Sequence, residues 1–195
     1  MRFRRASVYA FCLAVAIALT QVPTSAAAPP GAVADPLSPR VRGLSPKMKE
    51  LIEQGTRRSG TFKSLVETLN KSDIVVYLEQ SSTLPSGLDG RLTFLTSAGG
   101  VRYLHAQVTS GLNMNELIAV AGHELQHAVE VIEDETVNDE NGLIALYRRI
   151  GKQHNTSRPS QWETDAAQNA GFQVRQELVS VPASMIARNA TKARW

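Results

Sequence analysis

The chain contains a single cysteine, Cys12, and few aromatic residues, which make up 6% of its 195 residues. One cysteine excludes a framework of intramolecular disulfides and any structural zinc site built on several thiolates. The longest apolar run without a charged residue extends from Val8 to Leu19, which is too short for an ordinary transmembrane helix. The remaining composition, 43% hydrophobic and 20% charged, is that of a globular protein.

An excess of positive charge is also lacking once the charges are counted by position. The whole chain has 21 basic and 18 acidic residues. Arg2, Arg4 and Arg5 lie within the first 28 residues, which contain no acidic residue, so the remainder has 18 residues of each sign. Because binding to a phosphate backbone depends on clustered Lys and Arg, the sequence predicts no nucleic-acid partner.

The N-terminus has the pattern of an export signal. The three arginines precede the apolar run Val8 to Leu19, and the small residues from Thr24 to Ala28 suit a cleavage site. We therefore predict that residues 1–28 are a signal peptide. The mature protein is then secreted or periplasmic and has no stable insertion in a membrane. An uncleaved N-terminal anchor is the alternative interpretation.

The rest of the chain is predicted to form one domain. Five prolines among Ala, Gly and Ser predict a linker over residues 29–46, and residues 182–195 are predicted to be a flexible tail. The domain itself covers residues 47–181. It opens with two short helical patterns, which are followed by three runs typical of strands: Asp73–Glu79, Arg91–Thr96 and Val101–Val108. Glycine and proline between these runs favour an antiparallel meander.

A long apolar helix follows the third strand and contains the most informative motif of the chain. Asn113 and Glu116 have the spacing of a capping box, and the helical pattern continues to about Glu133. Within it lies His123–Glu124–Leu125–Gln126–His127, which is H-E-x-x-H. Histidines at i and i+4 share one face of a helix and can bind one Zn²⁺. Glu124 lies beside the first of them and can serve as the base that takes a proton from water.

This segment resembles the motif helix of the zincin metallopeptidases. In the metzincin branch, a Gly and a His follow three and six residues after the second His; this chain has Glu130 and Glu133 there, which excludes that branch. In the gluzincin branch the third ligand is a Glu on a later helix. The segment Trp162–Glu163–Thr164–Asp165–Ala166–Ala167 is similar to that second motif. The resemblance implies that Glu163 is the third metal ligand.

Other interpretations of the polar residues near this motif stay open at this point. Gluzincins often have an Asp four residues after the ligand, where this chain has Ala167, and Asp165 is then the nearest substitute for orienting a ligand. The spacing of Ser160 and Glu163 also fits a capping box, in which Glu163 would serve its own helix.

Three more residues near the motif are candidates for supporting roles. Glu130 is a rival to Glu163 as the third ligand, since it shares a face with the two histidines. On a continuous helix it lies a turn beyond the metal, so we expect it instead to hold a histidine or to face solvent. Tyr147 and His154, between the two motif helices, are candidates for donating a hydrogen bond to an oxyanion.

The resemblance implies an α+β, zincin-like fold, in which a small antiparallel sheet packs on a buried HExxH helix with additional helices. Val101–Val108 would border the cleft and pair with an extended peptide. The implied function is that of a secreted metallopeptidase: Zn²⁺ held by His123, His127 and Glu163, with Glu124 as base and a peptide or protein as substrate. The alternatives are a non-catalytic, zinc-stabilised binding module of the cell envelope and a zinc hydrolase of a cell-wall amide or another non-peptide bond.

Overall fold

The computed structural model describes residues 38–153 and 162–180 of the chain. The elements follow in the order β1 (Val41–Gly43), α1 (Pro46–Arg58), α2 (Gly60–Asn70), β2 (Ile74–Ser81), β3 (Gly90–Ala98), β4 (Val101–Thr109), α3 (Met114–Ile132), α4 (Glu140–Ile150), β5 (Lys152–Gln153), β6 (Trp162–Glu163) and α5 (Asp165–Val179). The predicted signal peptide, the predicted tail and His154 lie outside the described residues.

The α+β class is confirmed, but the predicted antiparallel meander is wrong. Four strands form one sheet in the order β1-β2-β4-β3. Strands β1, β2 and β4 run parallel to one another, and β3 is antiparallel to β4. Strand β4 is therefore paired on both sides, so it cannot accept an extended peptide as the sequence suggested. The free edge next to β4 belongs to β3.

The difference follows from burial and from the length of the connections. Strand β4 has Leu104, Ala106 and Val108 fully buried, whereas β3 is partly or largely exposed along its length. The more apolar strand therefore occupies the interior of the sheet, a position that the local pattern does not reveal. Strands β3 and β4 are joined by Gly99 and Gly100, both with positive φ, as a two-residue hairpin requires.

The predicted linker over residues 29–46 is wrong for its last part, because residues 41–43 form the edge strand β1. Val41 is 4% exposed and belongs to the core. The backbone N–H of Val76 donates to the carbonyl of Arg40 at 2.8 Å, which ties this segment to β2. A three-residue strand has too short a pattern to be recognised between prolines.

The helices pack on one face of the sheet around α3. The core combines alternate residues of β2 and β4 with the apolar face of α3, and α1, α2 and α5 pack around them. The predicted capping box is confirmed: the Asn113 side chain accepts from the N–H of Glu116, and the Glu116 carboxylate accepts from the N–H of Asn113. Within residues 38–153 and 162–180, no helix is long and apolar enough to span a membrane.

Candidate metal centre

The HExxH motif lies on helix α3, at the boundary between the core and the surface of the molecule. Six of its aliphatic residues are fully buried: Leu117, Ile118, Ala121, Leu125, Ala128 and Val131. Burial of one large aliphatic side chain contributes about 1.5–3 kcal/mol, so packing alone fixes the helix in place. Glu124 and His127 are buried, whereas the side chain of His123 keeps 20% of its surface exposed. The motif therefore lies where the core meets solvent.

Helix α5 crosses α3 at close range because glycines face the contact. A Cβ added at Gly122 would lie 2.9 Å from Cγ2 of Val174, and one added at Gly171 would lie 3.2 Å from Cβ of His123. Larger residues at these two positions would push the helices apart. The close crossing brings the segment that precedes α5, which contains Glu163, beside His123.

The prediction that His123, His127 and Glu163 come together is confirmed. One potential ligand atom from each of the three residues lies within 4.8 Å of the others. Nε2 of His123 is 3.1 Å from Oε2 of Glu163, and the two imidazole rings are 4.8 Å apart between centroids at 82°. The group is close enough to hold one metal ion.

The distances between the ligand atoms can be compared with those around a tetrahedral metal ion. Bonds of about 2.0–2.2 Å from nitrogen and oxygen ligands place neighbouring ligand atoms about 3.3–3.5 Å apart. The distance of 3.1 Å between His123 and Glu163 is near this value, and all three ligand atoms lie within 4.8 Å of one another. Two neutral nitrogens and one carboxylate oxygen leave a fourth position for water or substrate.

Glu130 supports His127 from behind rather than joining the metal group. Oε2 of Glu130 is 2.9 Å from Nδ1 of His127, and its other oxygen accepts a hydrogen bond from the hydroxyl of Thr164. A carboxylate on Nδ1 holds the proton there, so that Nε2 of His127 keeps its lone pair for a metal. This arrangement matches the expectation that Glu130 holds a histidine.

The capping-box interpretation of Glu163 is wrong, because helix α5 starts later than the pattern suggested. Its N-cap is Thr164, whose side chain accepts from the N–H of Ala167 at 3.1 Å. Glu163 lies before the helix in the short strand β6, and Ser160 lies outside the described residues. Asp165 forms an exposed ion pair with Lys152 and orients neither histidine.

Glu124 lies beneath the first residue of strand β3. A Cβ added at Gly90 would lie 2.2 Å from Oε1 of Glu124, so the backbone of β3 covers this carboxylate closely. Burial raises the pKa of Glu124, and the positive charges of His127 and His123 offset only part of this effect. A carboxylate with a raised pKa is a stronger base near neutral pH.

The acidic surroundings also affect His123. Burial lowers the pKa of His123, but the hydrogen bond to Glu163 and the charges of Glu124, Glu163 and Glu130 outweigh this and raise it. In the metal-free protein the cluster therefore binds a proton readily. Because a metal ligand must be neutral imidazole, protons and metal compete for this site.

Tyr147 lies behind His127 and is not among the residues that line the cleft. Its hydroxyl donates to the backbone carbonyl of His127 at 2.9 Å, and its ring meets the imidazole edge-on at 5.0 Å. Burial is the main reason that the pKa of Tyr147 is raised, which keeps the hydroxyl protonated. Tyr147 therefore holds the helix at the second histidine.

Two residues of the metal group, His123 and Glu163, line an open cleft of about 510 Å³. Its floor is the face of α3 with His123 and Glu124, one wall is formed by residues 87–90 before and at the start of β3, and the other wall is α5. This volume is within the range typical of ligand-binding pockets. The opening of the cleft gives solvent and ligands access to His123 and Glu163.

Comparisons with protein-family models, curated proteins and solved structures found no match to the chain.

Sequence reasoning missed two residues that shape this centre, Thr164 and Gly90. Thr164 could have been found, because a threonine directly before an Asp-Ala-Ala run is a typical N-cap; its hydroxyl serves both the helix and Glu130. Gly90 had no such signal. Asp89–Gly90 is typical of a turn, and only the folded chain brings this glycine against Glu124.

Proposed function

We propose that the chain is a zinc-dependent hydrolase that cleaves peptide bonds. The observation that carries this proposal is the convergence of His123, His127 and Glu163 beside the buried carboxylate of Glu124. Of these four residues, His123, Glu124 and Glu163 line an open cleft. Two imidazoles and one carboxylate are a donor set of catalytic zinc sites, which keep a fourth position open. A purely structural site has four protein ligands and needs no buried carboxylate beside it.

In this proposal each residue of the metal centre has a separate role. When bound, zinc would polarise the scissile carbonyl and lower the pKa of a water molecule to about 7. Glu124 accepts the proton of the attacking water and donates it to the leaving amine, and its raised pKa suits both steps. Glu130 holds the ring of His127 in one orientation and one tautomer. Gly90 closes over Glu124 and limits the positions that its carboxylate can adopt.

The outer edge of strand β3 before Phe94 supports a peptide as the substrate. The N–H of Phe94 points away from β4 and donates to the Glu140 carboxylate at 2.8 Å. Because alternate residues of a strand have the same orientation, the backbone groups of Leu92 and Gly90 face this edge as well. Gly90 also lines the cleft. An extended peptide would bind there as an added strand, with little dependence on its sequence.

We also propose that the mature protein acts outside the cytoplasm. The support for this is the pattern of residues 1–28, in which three arginines precede an apolar run and a series of small residues. A mature chain that lacks Cys12 has no thiol to be oxidised there.

The test compares wild type with Glu124→Gln. Metal content is measured by mass spectrometry on purified mature protein, and cleavage is measured on a mixed peptide library by liquid chromatography and mass spectrometry. We expect about one zinc in both proteins, and a turnover that is about 10²–10⁴-fold lower in the variant because the general base is lost.

Glu133→Gln is the matched control, because Glu133 is an exposed glutamate at the end of the same helix. It should leave both zinc and turnover unchanged. Wild type that binds zinc but cleaves no peptide, or Glu124→Gln that cleaves as fast as wild type, would contradict the proposal. The first outcome would favour the non-catalytic binding module.

A further inference from the structure

The cleft continues from the metal group along one face of helix α5. The residues of α5 that line it are Gln168, Gly171, Phe172 and Arg175, which have the i, i+3, i+4, i+7 spacing of a single helix face. A Cβ added at Gly171 would lie 3.2 Å from Cβ of His123, so Gly171 marks the level of this histidine on α5. Arg175 is four residues further along, which is about 6 Å along the helix axis.

Phe172 and Arg175 are not used to hold the helix in place. Helix α5 packs on α3 with a different set of buried residues: Ala167, Ala170, Val174 and Leu178. Phe172 keeps 58% of its surface exposed, although it lines a concave cleft that Leu88 also lines. A large aromatic side chain of this kind offers apolar area to a ligand at little cost in conformational entropy.

Arg175 differs in charge from the other groups in the cleft. Of the described residues that line it, Arg175 is the one with a permanent positive charge, whereas Asp89, Glu124 and Glu163 are acidic. Within the described part of the chain, no acidic side chain lies within ion-pair distance of Arg175. The guanidinium is thus available to a ligand, and its planar fork fits a carboxylate with two parallel hydrogen bonds.

We propose that Arg175, with Phe172 beside it, binds a carboxylate of the substrate about two residues from the scissile bond. This inference rests on the proposed peptide hydrolysis. An extended peptide advances 3.3–3.6 Å per residue, so the distance of about 6 Å between the levels of Gly171 and Arg175 corresponds to about two residues. The carboxylate is supplied by an acidic side chain or by the C-terminus of a short peptide.

The experiment uses two pairs of peptides and measures kcat/KM by mass spectrometry. The first pair has Glu in one peptide and Gln in the other at the same position, and it is repeated for each position within three residues of the scissile bond. The two peptides of the second pair have the same sequence, one with a free and the other with an amidated C-terminus. We expect wild type to prefer the carboxylate in at least one pair by roughly tenfold, which is the ratio for a charge-assisted bond of about 1.4 kcal/mol. The pair that shows the preference identifies the source of the carboxylate.

The variant Arg175→Gln should remove this preference, so that its kcat/KM values for the acidic and the neutral peptide become equal. Arg175→Glu should reverse the charge preference, so that a peptide with Lys at the same position is cleaved with a higher kcat/KM than the peptide with Glu. Arg57→Gln is the matched control, because Arg57 is an exposed arginine of α1 that does not line the cleft; it should keep the wild-type preference. Circular dichroism confirms that each variant is folded.

A binding measurement separates this inference from the proposed function. We expect Glu124→Gln to retain the cleft with turnover about 10²–10⁴-fold lower. Fluorescence anisotropy can therefore compare the affinity of this variant for the acidic and neutral peptides, with and without Arg175→Gln. If wild type shows no preference for the carboxylate, or if Arg175→Gln keeps it, the role of Arg175 is overturned and the proposed hydrolysis is not affected. If wild type cleaves none of the peptides, the proposed hydrolysis is overturned. If Glu124→Gln then also binds both peptides equally, the carboxylate site is overturned as well.

Discussion

Replacing Gly90 by alanine tests whether the backbone of β3 holds the general base in position. Gly90 does not have a positive φ, so an alanine suits its backbone conformation. What the position lacks is space. The added Cβ would lie 2.2 Å from Oε1 of Glu124 and 2.9 Å from Cγ1 of Val120. The carboxylate, as the end of a flexible side chain, is the group that must move.

The size of this movement follows from the contact distances. An ordinary contact of a Cβ atom begins at 3.4 Å, so the separation from Oε1 must grow by 1.2 Å from its 2.2 Å. A misplacement of about 1 Å in a catalytic group can cost about 10²-fold in rate. We therefore expect Gly90→Ala to lower kcat/KM about 100-fold. Zinc content should stay at the wild-type value, because no ligand is displaced, and overpacking should lower the free energy of unfolding by about 1–3 kcal/mol.

The assay is hydrolysis of a single good peptide substrate, with metal content measured on the same preparation. Gly60→Ala is the matched control, because a Cβ at Gly60 meets nothing within 4 Å. In the Glu124→Gln background, Gly90→Ala should cost little further activity, since both changes act through one carboxylate. The reasoning is refuted if Gly90→Ala is as active as wild type, or if its loss of activity is unchanged when Glu124 is already Gln.

Three further predictions concern the ligands and the stability of the domain. Glu163→Ala should lower zinc affinity sharply and abolish hydrolysis, while Asp165→Ala, two positions along, should leave both unchanged; a zinc competition titration decides between them. Glu130→Ala should lower zinc affinity about 10–100-fold, because His127 loses the carboxylate that holds its Nδ1; an unchanged affinity would contradict this role. The hydrogen bond from Arg102 is the main cause that lowers the pKa of Asp73 below its usual 3.8. A carboxyl group whose pKa is lower in the folded than in the unfolded protein stabilises the fold at pH values above its unfolded pKa, and this effect is lost as the pH falls. Asp73→Asn should therefore lower the melting temperature at pH 7, and the difference from wild type should become smaller below about pH 3.8.

Local sequence determined the helix that carries the motif. The capping box at Asn113, the apolar periodicity and the spacing of His123 and His127 all act within a few residues, and helical geometry then places both imidazoles on one face. These features needed no knowledge of the rest of the chain. The pairing of Glu130 with His127 is of the same kind, because residues three apart on a helix are neighbours.

The third member of the metal group depended on tertiary structure. A resemblance suggested Glu163, but its local pattern fitted a helix cap equally well, and the helix in fact begins after it, at Thr164. What brings Glu163 to His123 is the close crossing of α3 and α5 at Gly122 and Gly171. A contact between residues forty positions apart cannot be read from periodicity, since it depends on which surfaces pack together.

The direction and order of the strands were also decided only by the folded chain. Alternation of apolar and polar residues identifies a strand, but the same pattern suits a parallel or an antiparallel neighbour. Competition for the buried centre of the sheet places β4 between β2 and β3 and leaves β3 at the edge. That choice puts Gly90 over Glu124 and forms one wall of the cleft. The sequence alone determined the chemical groups of the motif, because they depend on local geometry, whereas their enclosure depends on long-range packing.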